Sequence, residues 1–177
     1  AETLQPVTLA LTPSRDPTLL QEVGQDVAQA LSRHLGIPVK VHVASDYASV
    51  IEALRSQLVD AAFLPAVGYV LAAREAGARI VVKAMRGGRA DYTARVFVLK
   101  ESPFERLADL RGRTIAFVDP ASSSGYIYPM LLLIKDGLVR DRDPKTFFKD
   151  MLFAGSHDAA LLSVLNGSVD AAATFDE

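Results

Sequence analysis

A strand–helix–strand segment is written twice in this chain, and that duplication restricts the fold more than any other feature. Asp46-Tyr47-Ala48-Ser49-Val50-Ile51-Glu52-Ala53-Leu54, followed by Val59-Asp60-Ala61-Ala62, returns about 110 positions later. The second copy is Ser156-His157-Asp158-Ala159-Ala160-Leu161-Leu162-Ser163-Val164, followed by Val169-Asp170-Ala171-Ala172. Each copy runs from a polar cap through an apolar-faced helix and a short turn into a strand that opens Val-Asp-Ala-Ala. Upstream, Leu11-Thr12-Pro13-Ser14 is echoed by Val118-Asp119-Pro120-Ala121, so each half also begins with a strand entering a proline-marked loop. The duplication predicts two similar lobes, residues 1–88 and 89–177, with a cleft between them as the place for function.

The remaining elements fill in an alternating order. Val7 to Leu11 is a short apolar run of the kind that makes a buried parallel strand. Ser14 to Gly36 follows helical periodicity through Leu19, Leu20, Val23, Val27, Leu31 and Leu35, with Gly36 as C-cap. Strands are expected at Val39–Val43, Asp60–Leu64, Arg79–Ala84, Ala94–Lys100, Thr114–Val118, Met151–Phe153 and Asp170–Thr174. Pro65 opens a helix that ends near Gly77. Gly87-Gly88-Arg89-Ala90-Asp91 is the linker candidate. Strands alternating with helices predict an α/β fold of two lobes, each a mostly parallel sheet flanked by helices. The chain stops at Phe175-Asp176-Glu177, straight after a strand, which suggests that a C-terminal part is missing.

Composition narrows the function classes. The 177 residues are half apolar and 23% charged, with a net charge of −2 and no Lys/Arg cluster, so nucleic acid and anionic membrane surfaces are poor partners. Cysteine is absent, which removes disulfides, thiolate metal sites and cysteine nucleophiles together. His34, His42 and His157 show no ligand spacing, so no metal is expected. No nucleotide-binding glycine motif is present and no cofactor is expected. No apolar run approaches the ~20 residues of a membrane span.

Two junctions carry chemistry. Asp119-Pro120-Ala121-Ser122-Ser123-Ser124-Gly125 follows a strand and opens a helix near Gly125, so backbone N–H groups, the positive end of the helix dipole and three hydroxyls converge on one spot. Such a spot suits a tetrahedral oxyanion, with Gly125 letting the backbone come close to it; a plain serine-rich N-cap carries comparable weight. In Gly155-Ser156-His157-Asp158, Ser156 is the N-cap and His157 sits in the first helical turn, where an imidazole can donate to an anion. The duplication aligns His157 with Tyr47, giving each lobe a donor at the equivalent helix start. Asp60 and Asp170, paired by the same duplication, read as turn and strand-start residues, and Tyr69 and Tyr126 as core or cleft. A Ser/His/Asp hydrolase triad is disfavoured: no Gly-x-Ser-x-Gly elbow exists, and Asp158 follows His157 directly on a helix, where it does not face its ring.

These motifs, together with Asp60-Ala61-Ala62-Phe63-Leu64-Pro65-Ala66-Val67-Gly68-Tyr69 and the stretch from Phe153 to Thr174, resemble the periplasmic solute-binding proteins of phosphonate, phosphite and phosphate ABC importers. The resemblance covers most of the chain. It implies a hinged two-lobed binding fold and a ligand site built from Tyr47, Tyr92, Ser122, Ser123, Ser124 and His157. Asp176 and Glu177 fall near the carboxylate that meets amine-bearing phosphonates in some members. Two departures stand out: the usual Ser-Ser-Thr-Ser-Gly is Ala121-Ser122-Ser123-Ser124-Gly125, and the usual Gly-Pro before the third helix is Leu64-Pro65. The expectation is a non-enzymatic, monomeric, periplasmic or membrane-associated extracellular protein. It would deliver a small oxyanion to an ABC permease in the inner membrane. Alternatives are an oxyanion-sensing partner of a histidine kinase and, behind it, a serine hydrolase.

Overall fold

The computed structural model describes residues 5–85 and 87–176. The chain packs as two units, Ala1–Ile80 and Val81–Glu177. The division falls N-terminal to the Gly87–Asp91 stretch, where the sequence places the linker.

In the first unit, β1 (Val7–Leu11), β2 (Val39–Val43) and β3 (Ala61–Phe63) form an all-parallel sheet in the order β2-β1-β3. Two helices, α1 (Pro17–Leu35) and α2 (Tyr47–Arg55), make the crossovers, and α3 (Ala66–Glu75) follows β3. The start of α1 is fixed by Asp16, whose carboxylate accepts the N–H groups of Thr18 and Leu19, with Pro17 at the first helical position. Its end is fixed by Gly36 at φ 69°, a left-handed cap that glycine adopts without steric cost. The face that α1 turns inward differs from the leucine stripe expected from sequence. Gly24 and Ala28 are buried, whereas Leu19, Val23, Leu31 and Leu35 stay exposed. The reason is close approach: a Cβ on Gly24 would lie 2.7 Å from Leu11 and 2.8 Å from Val41, so helix and sheet meet over the smallest residues. The core here is small, built on Ala10, Ala44, Val50 and Val59.

The second unit contains β4 (Thr93–Val98), β5 (Thr114–Phe117), β6 (Asp150–Phe153) and β7 (Ala171–Asp176) in the order β4-β7-β5-β6. β5 runs parallel to β6 and β7, and β4 closes the edge antiparallel to β7. α4 (Tyr128–Lys135) and α5 (His157–Leu165) flank the sheet. Its core is larger and aromatic: Leu110, Ile115, Phe117, Met130, Leu133, Val139, Phe147 and Phe148 pack over Ala171 and Ala173. Tyr126 belongs to this cluster, edge-on to Phe117 at 5.0 Å and Phe153 at 5.2 Å.

The strand expected at Arg79–Ala84 does not form; residues 78–85 have no regular structure, and Val81 is 90% exposed. Apolar β-branched composition alone does not make a strand. A strand forms only where its N–H and C=O groups enter a ladder, and these residues pair with neither edge of the sheet, β2 or β3.

Candidate functional site

The duplication is visible hydrogen bond by hydrogen bond. In the first unit Asp60 Oδ2 accepts the Thr8 N–H at 2.8 Å; in the second Asp170 Oδ2 accepts the Thr114 N–H at 2.8 Å and the Thr114 hydroxyl at 2.7 Å. Both carboxylates clamp the first turn of a central strand to the turn before its neighbour, a structural role that agrees with their reading as strand-start residues. The hydrogen bonds that Asp170 accepts from the Thr114 N–H and, to a lesser degree, the Thr114 hydroxyl hold its pKa below the ordinary value. At the opposite strand ends, Ala44 N–H donates to Leu11 O and Ala154 N–H to Phe117 O. These bonds and the ladder registers equate Leu11 with Phe117. The proline echo read from sequence, Leu11 with Val118, is therefore one residue out of step.

Parallel strands send all their carboxyl ends to one edge, which is where an α/β sheet collects loops and helix starts. In the second unit that edge holds most of the residues singled out from sequence. After β5 the chain passes Asp119, whose carboxylate accepts the Ala121 N–H at 2.7 Å, and enters Ser122. Helix does not begin at Gly125 as expected. Ser123–Ile127 forms a π-helical turn, sealed by the Ile127 N–H bonded to Ser122 O at 3.0 Å, before α4 starts at Tyr128. Pro129 thus falls in the first turn of α4, where its missing N–H costs nothing.

Ser122 caps this turn: its Oγ accepts the Gly125 N–H at 3.1 Å. Ser122, Ser123 and Ser124 are all buried, to 1%, 0% and 2% exposure. Gly125 has a different use from the one read in sequence. A Cβ there would stand 2.4 Å from both Cβ and Cγ2 of Val118 and 2.8 Å from Ser122 Oγ. The glycine lets the turn lie against β5; it is a packing requirement of the serine loop.

The loop after β6 is tied to this one. Gly155 N–H donates to Val118 O at 2.8 Å, so the segment carrying His157 is pinned to the strand end from which the serine loop departs. Ser156 caps α5 through its Oγ, which accepts the Ala159 N–H at 3.2 Å, and His157 is the first helical residue. The His157 ring is buried to 6% exposure and hydrogen-bonds through Nδ1 to Thr174 Oγ1 at 2.7 Å. Phe175 packs edge-on against the imidazole at 4.7 Å, and Tyr92 packs edge-on against Phe175 at 5.7 Å. Tyr92, Phe175 and His157 thus form one aromatic run.

Asp176, at the end of β7, is paired with Arg95 Nε at 2.5 Å across the β4–β7 ladder. Glu177 lies outside the described residues. Six of the seven candidate residues, all but Tyr47, therefore lie in the second unit. Tyr47 holds the equivalent of the His157 position in the first unit: it is the first residue of α2 and 3% exposed, with Asp46 accepting the Ser49 N–H and hydroxyl, each at 2.7 Å.

Sequence reasoning missed Thr174, Phe175 and Arg95. The signal for the first two was present: the small-residue run Ala171-Ala172-Ala173 leads straight into Thr174-Phe175-Asp176 at the carboxyl end of a central strand. Arg95 had no local signal, because its partner is 81 residues away. Among the described residues no cluster of His, Asp and Glu is arranged to hold a metal ion.

Residues 9–177 match the family described as ABC transporter, phosphonate, periplasmic substrate-binding protein. The chain is 32% identical over 177 residues to the phosphate-import protein PhnD of Mycolicibacterium smegmatis, covering 96% of this chain and 55% of that protein. It is 29% identical over 154 residues to the phosphonates-binding periplasmic protein of Escherichia coli, covering 84% and 44% respectively. Among solved structures, a binding protein component of an ABC phosphonate transporter from Pseudomonas aeruginosa matches with a TM-score of 0.88 and 26% identity, over 97% of this chain and 57% of that one. The chain spans about half the length of the curated relatives it matches. Its α/β architecture of parallel and mixed sheets flanked by helices is that of the periplasmic binding proteins. On the family match and these likenesses together, the chain belongs to the periplasmic substrate-binding proteins of phosphonate ABC transporters.

Proposed function

We propose that the protein captures a tetrahedral phosphorus oxyanion, a phosphonate, phosphite or phosphate, for uptake by an ABC permease in the inner membrane. One observation supports this most: a buried three-serine π-turn and a buried, oriented histidine at a helix start are tied together at the carboxyl ends of adjacent parallel strands. Helix starts offer N–H groups and positive dipole ends, and hydroxyls and an imidazole add donors, so an oxyanion is held without a fixed charge beneath it. The relatives' names, phosphate import in one and phosphonate binding in the other, support the same ligand class. In this reading Ser122, Ser123, Ser124 and His157 hold the oxyanion, Tyr92 borders it, and Asp176 faces its substituent. Tyr47 supplies a matching donor from the first unit, as the duplication suggests.

The role is binding without turnover. Ser122 Oγ already serves as a cap acceptor, and the His157 Nδ1 bond goes to a threonine hydroxyl in place of the carboxylate that orients a general base. The protein would act as a monomer outside the cytoplasm.

Calorimetry or thermal shift with phosphate, phosphite, methylphosphonate and 2-aminoethylphosphonate tests the reading. A ligand at about 100 times its Kd adds ~2.7 kcal/mol to the stability of the folded state. His157→Ala and Ser123→Ala should each weaken binding by about 1–3 kcal/mol. A protein that responds to none of the four ligands refutes the oxyanion assignment.

A further inference from the structure

We infer that Thr174 is a positioning residue for the oxyanion site: its hydroxyl donates to His157 Nδ1, fixes the imidazole as the Nε2–H tautomer and so makes the ring a committed donor to the ligand; this rests on the oxyanion reading above. Thr174 Oγ1 and His157 Nδ1 stand 2.7 Å apart. Two arrangements fit that distance. Either a ring Nδ1–H donates to the hydroxyl oxygen, or the hydroxyl donates to a bare Nδ1. Burial and partners decide between them. Thr174 is 1% exposed, out of reach of bulk water, and among the described residues the ring is the only hydrogen-bond partner of its hydroxyl. In the first arrangement the hydroxyl hydrogen is buried with no acceptor; in the second, hydroxyl and Nδ1 satisfy each other. The second therefore holds. The proton of the neutral ring then sits on Nε2, because the hydrogen bond made at one imidazole nitrogen decides what the other carries.

The neighbouring structure keeps the ring in this pose. β7 packs against both α5 and the serine π-turn, so the strand that carries Thr174 also supports the serine loop. Phe175, the next residue, stands edge-on to the imidazole at 4.7 Å and 79° and limits its rotation. The two ring nitrogens diverge, so with Nδ1 turned to β7 the Nε2–H points away from it. A ring protonated at Nε2 has no lone pair there, which removes a general base and leaves a binding group. It can only donate, so the ligand oxygen it meets must be unprotonated. A P–OH group has to turn instead to the serine hydroxyls, which accept as well as donate.

The tautomer is read directly in the ligand-free protein. Histidine is isotope-labelled, and proton–nitrogen correlation NMR across two bonds is recorded in mildly alkaline buffer, where an ordinary imidazole is neutral. His157→Gln identifies the signal. The native ring should show a protonated Nε2 and a bare Nδ1, and methylphosphonate should shift the Nε2 proton without exchanging the two nitrogens. Thr174→Val should give a mixture of tautomers and bind methylphosphonate about tenfold more weakly by calorimetry. Thr174→Ser, which keeps the hydroxyl, should retain the native tautomer and recover most of the affinity. A merely structural threonine would move stability and leave the tautomer unchanged. A native ring protonated at Nδ1, or a Thr174→Val protein that keeps a pure Nε2–H ring and native affinity, overturns the assignment while the oxyanion reading stands. If the native protein binds neither methylphosphonate, phosphite nor phosphate, the oxyanion reading fails, whatever tautomer the ligand-free ring shows.

Discussion

Replacing Gly125 by alanine tests the architecture of the serine loop with a single methyl group. The glycine has no left-handed backbone angle to lose, so its substitution is a steric experiment only. The added Cβ would meet Val118 Cβ and Cγ2 at 2.4 Å, a full ångström inside ordinary carbon–carbon contact, and Ser122 Oγ at 2.8 Å. Val118 is itself fully buried, follows β5 directly and holds Gly155 N–H and Gly125 O through its own backbone, so it cannot step aside. Overpacking of this severity belongs at the upper end of ~1–3 kcal/mol. Moving Ser122 breaks its bond to the Gly125 N–H and adds about 1 kcal/mol for a lost cap. The expected total is therefore ~3–4 kcal/mol, or roughly 6–15 °C in melting temperature for a chain of this size.

The clash also predicts its own pattern of rescue. Val118→Ala removes Cγ2 but leaves Cβ at 2.4 Å, so it should not restore Gly125→Ala; Val118→Gly should recover part of the loss. Urea denaturation of Gly125→Ala, of each Val118 variant and of the two double variants measures both effects. A Gly125→Ala protein within 0.5 kcal/mol of the parent, or one fully rescued by Val118→Ala, would refute the packing argument.

Other expectations follow from the same geometry. Asp170→Ala should cost ~2–3 kcal/mol by chemical denaturation, since two bonds from Thr114 to a charged acceptor are lost, and Asp60→Ala about 1 kcal/mol, since its one such bond is exposed. The Asp170 pKa is depressed in the folded state, so its contribution is complete above the ordinary value near 3.8 and disappears as pH falls through the lower folded value; the gap between parent and Asp170→Asn should therefore close below that pH. Asp46→Ala and Ser156→Ala should each lose about 1 kcal/mol as helix caps, and only the Asp46 effect should fade in acid, because bonds from the Ser49 hydroxyl and N–H hold that carboxyl's pKa down. Thr174→Val keeps the shape of the side chain and removes the hydroxyl that holds His157; it should weaken oxyanion binding about tenfold and loosen the fixed orientation of the imidazole seen by NMR.

What the sequence made legible was local or repeated. The Asp46 and Ser156 caps were readable because a capping oxygen and the N–H that donates to it sit three residues apart, and the duplication was readable because each copy uses the same clamp, turn and cap. The misreadings share a different cause: they depended on what lies opposite. The α1 leucine stripe has the right period for a core face, yet the sheet takes Gly24 and Ala28, because Leu11 and Val41 leave no room for anything larger. Residues 79–84 have strand composition yet join neither edge of the β2-β1-β3 sheet. The π-turn has no sequence period of its own, so a helix start at Gly125 was the natural reading of a segment that in fact begins its helix at Tyr128. Arg95 was invisible because the antiparallel pairing of β4 with β7 is the only thing that brings it to Asp176.

The two edges of the second sheet divide the labour in a way that explains why the duplication conserved so much hydrogen bonding and so few donors. At the amino ends of the strands both units use the same aspartate clamp; at the carboxyl ends they share caps but differ in the residue that follows, Tyr47 in one and His157 in the other. The clamp sets strand register, so it resists change in both copies. The helix starts need only a cap to form, which leaves the next position open to carry chemistry. Substitutions at Thr8, Asp60, Thr114 and Asp170 should then move stability and leave ligand affinity almost untouched, while Tyr47→Phe and His157→Gln should do the reverse. The second unit adds what the first lacks, a serine turn packed on Val118 and an arginine-paired carboxylate at the end of β7.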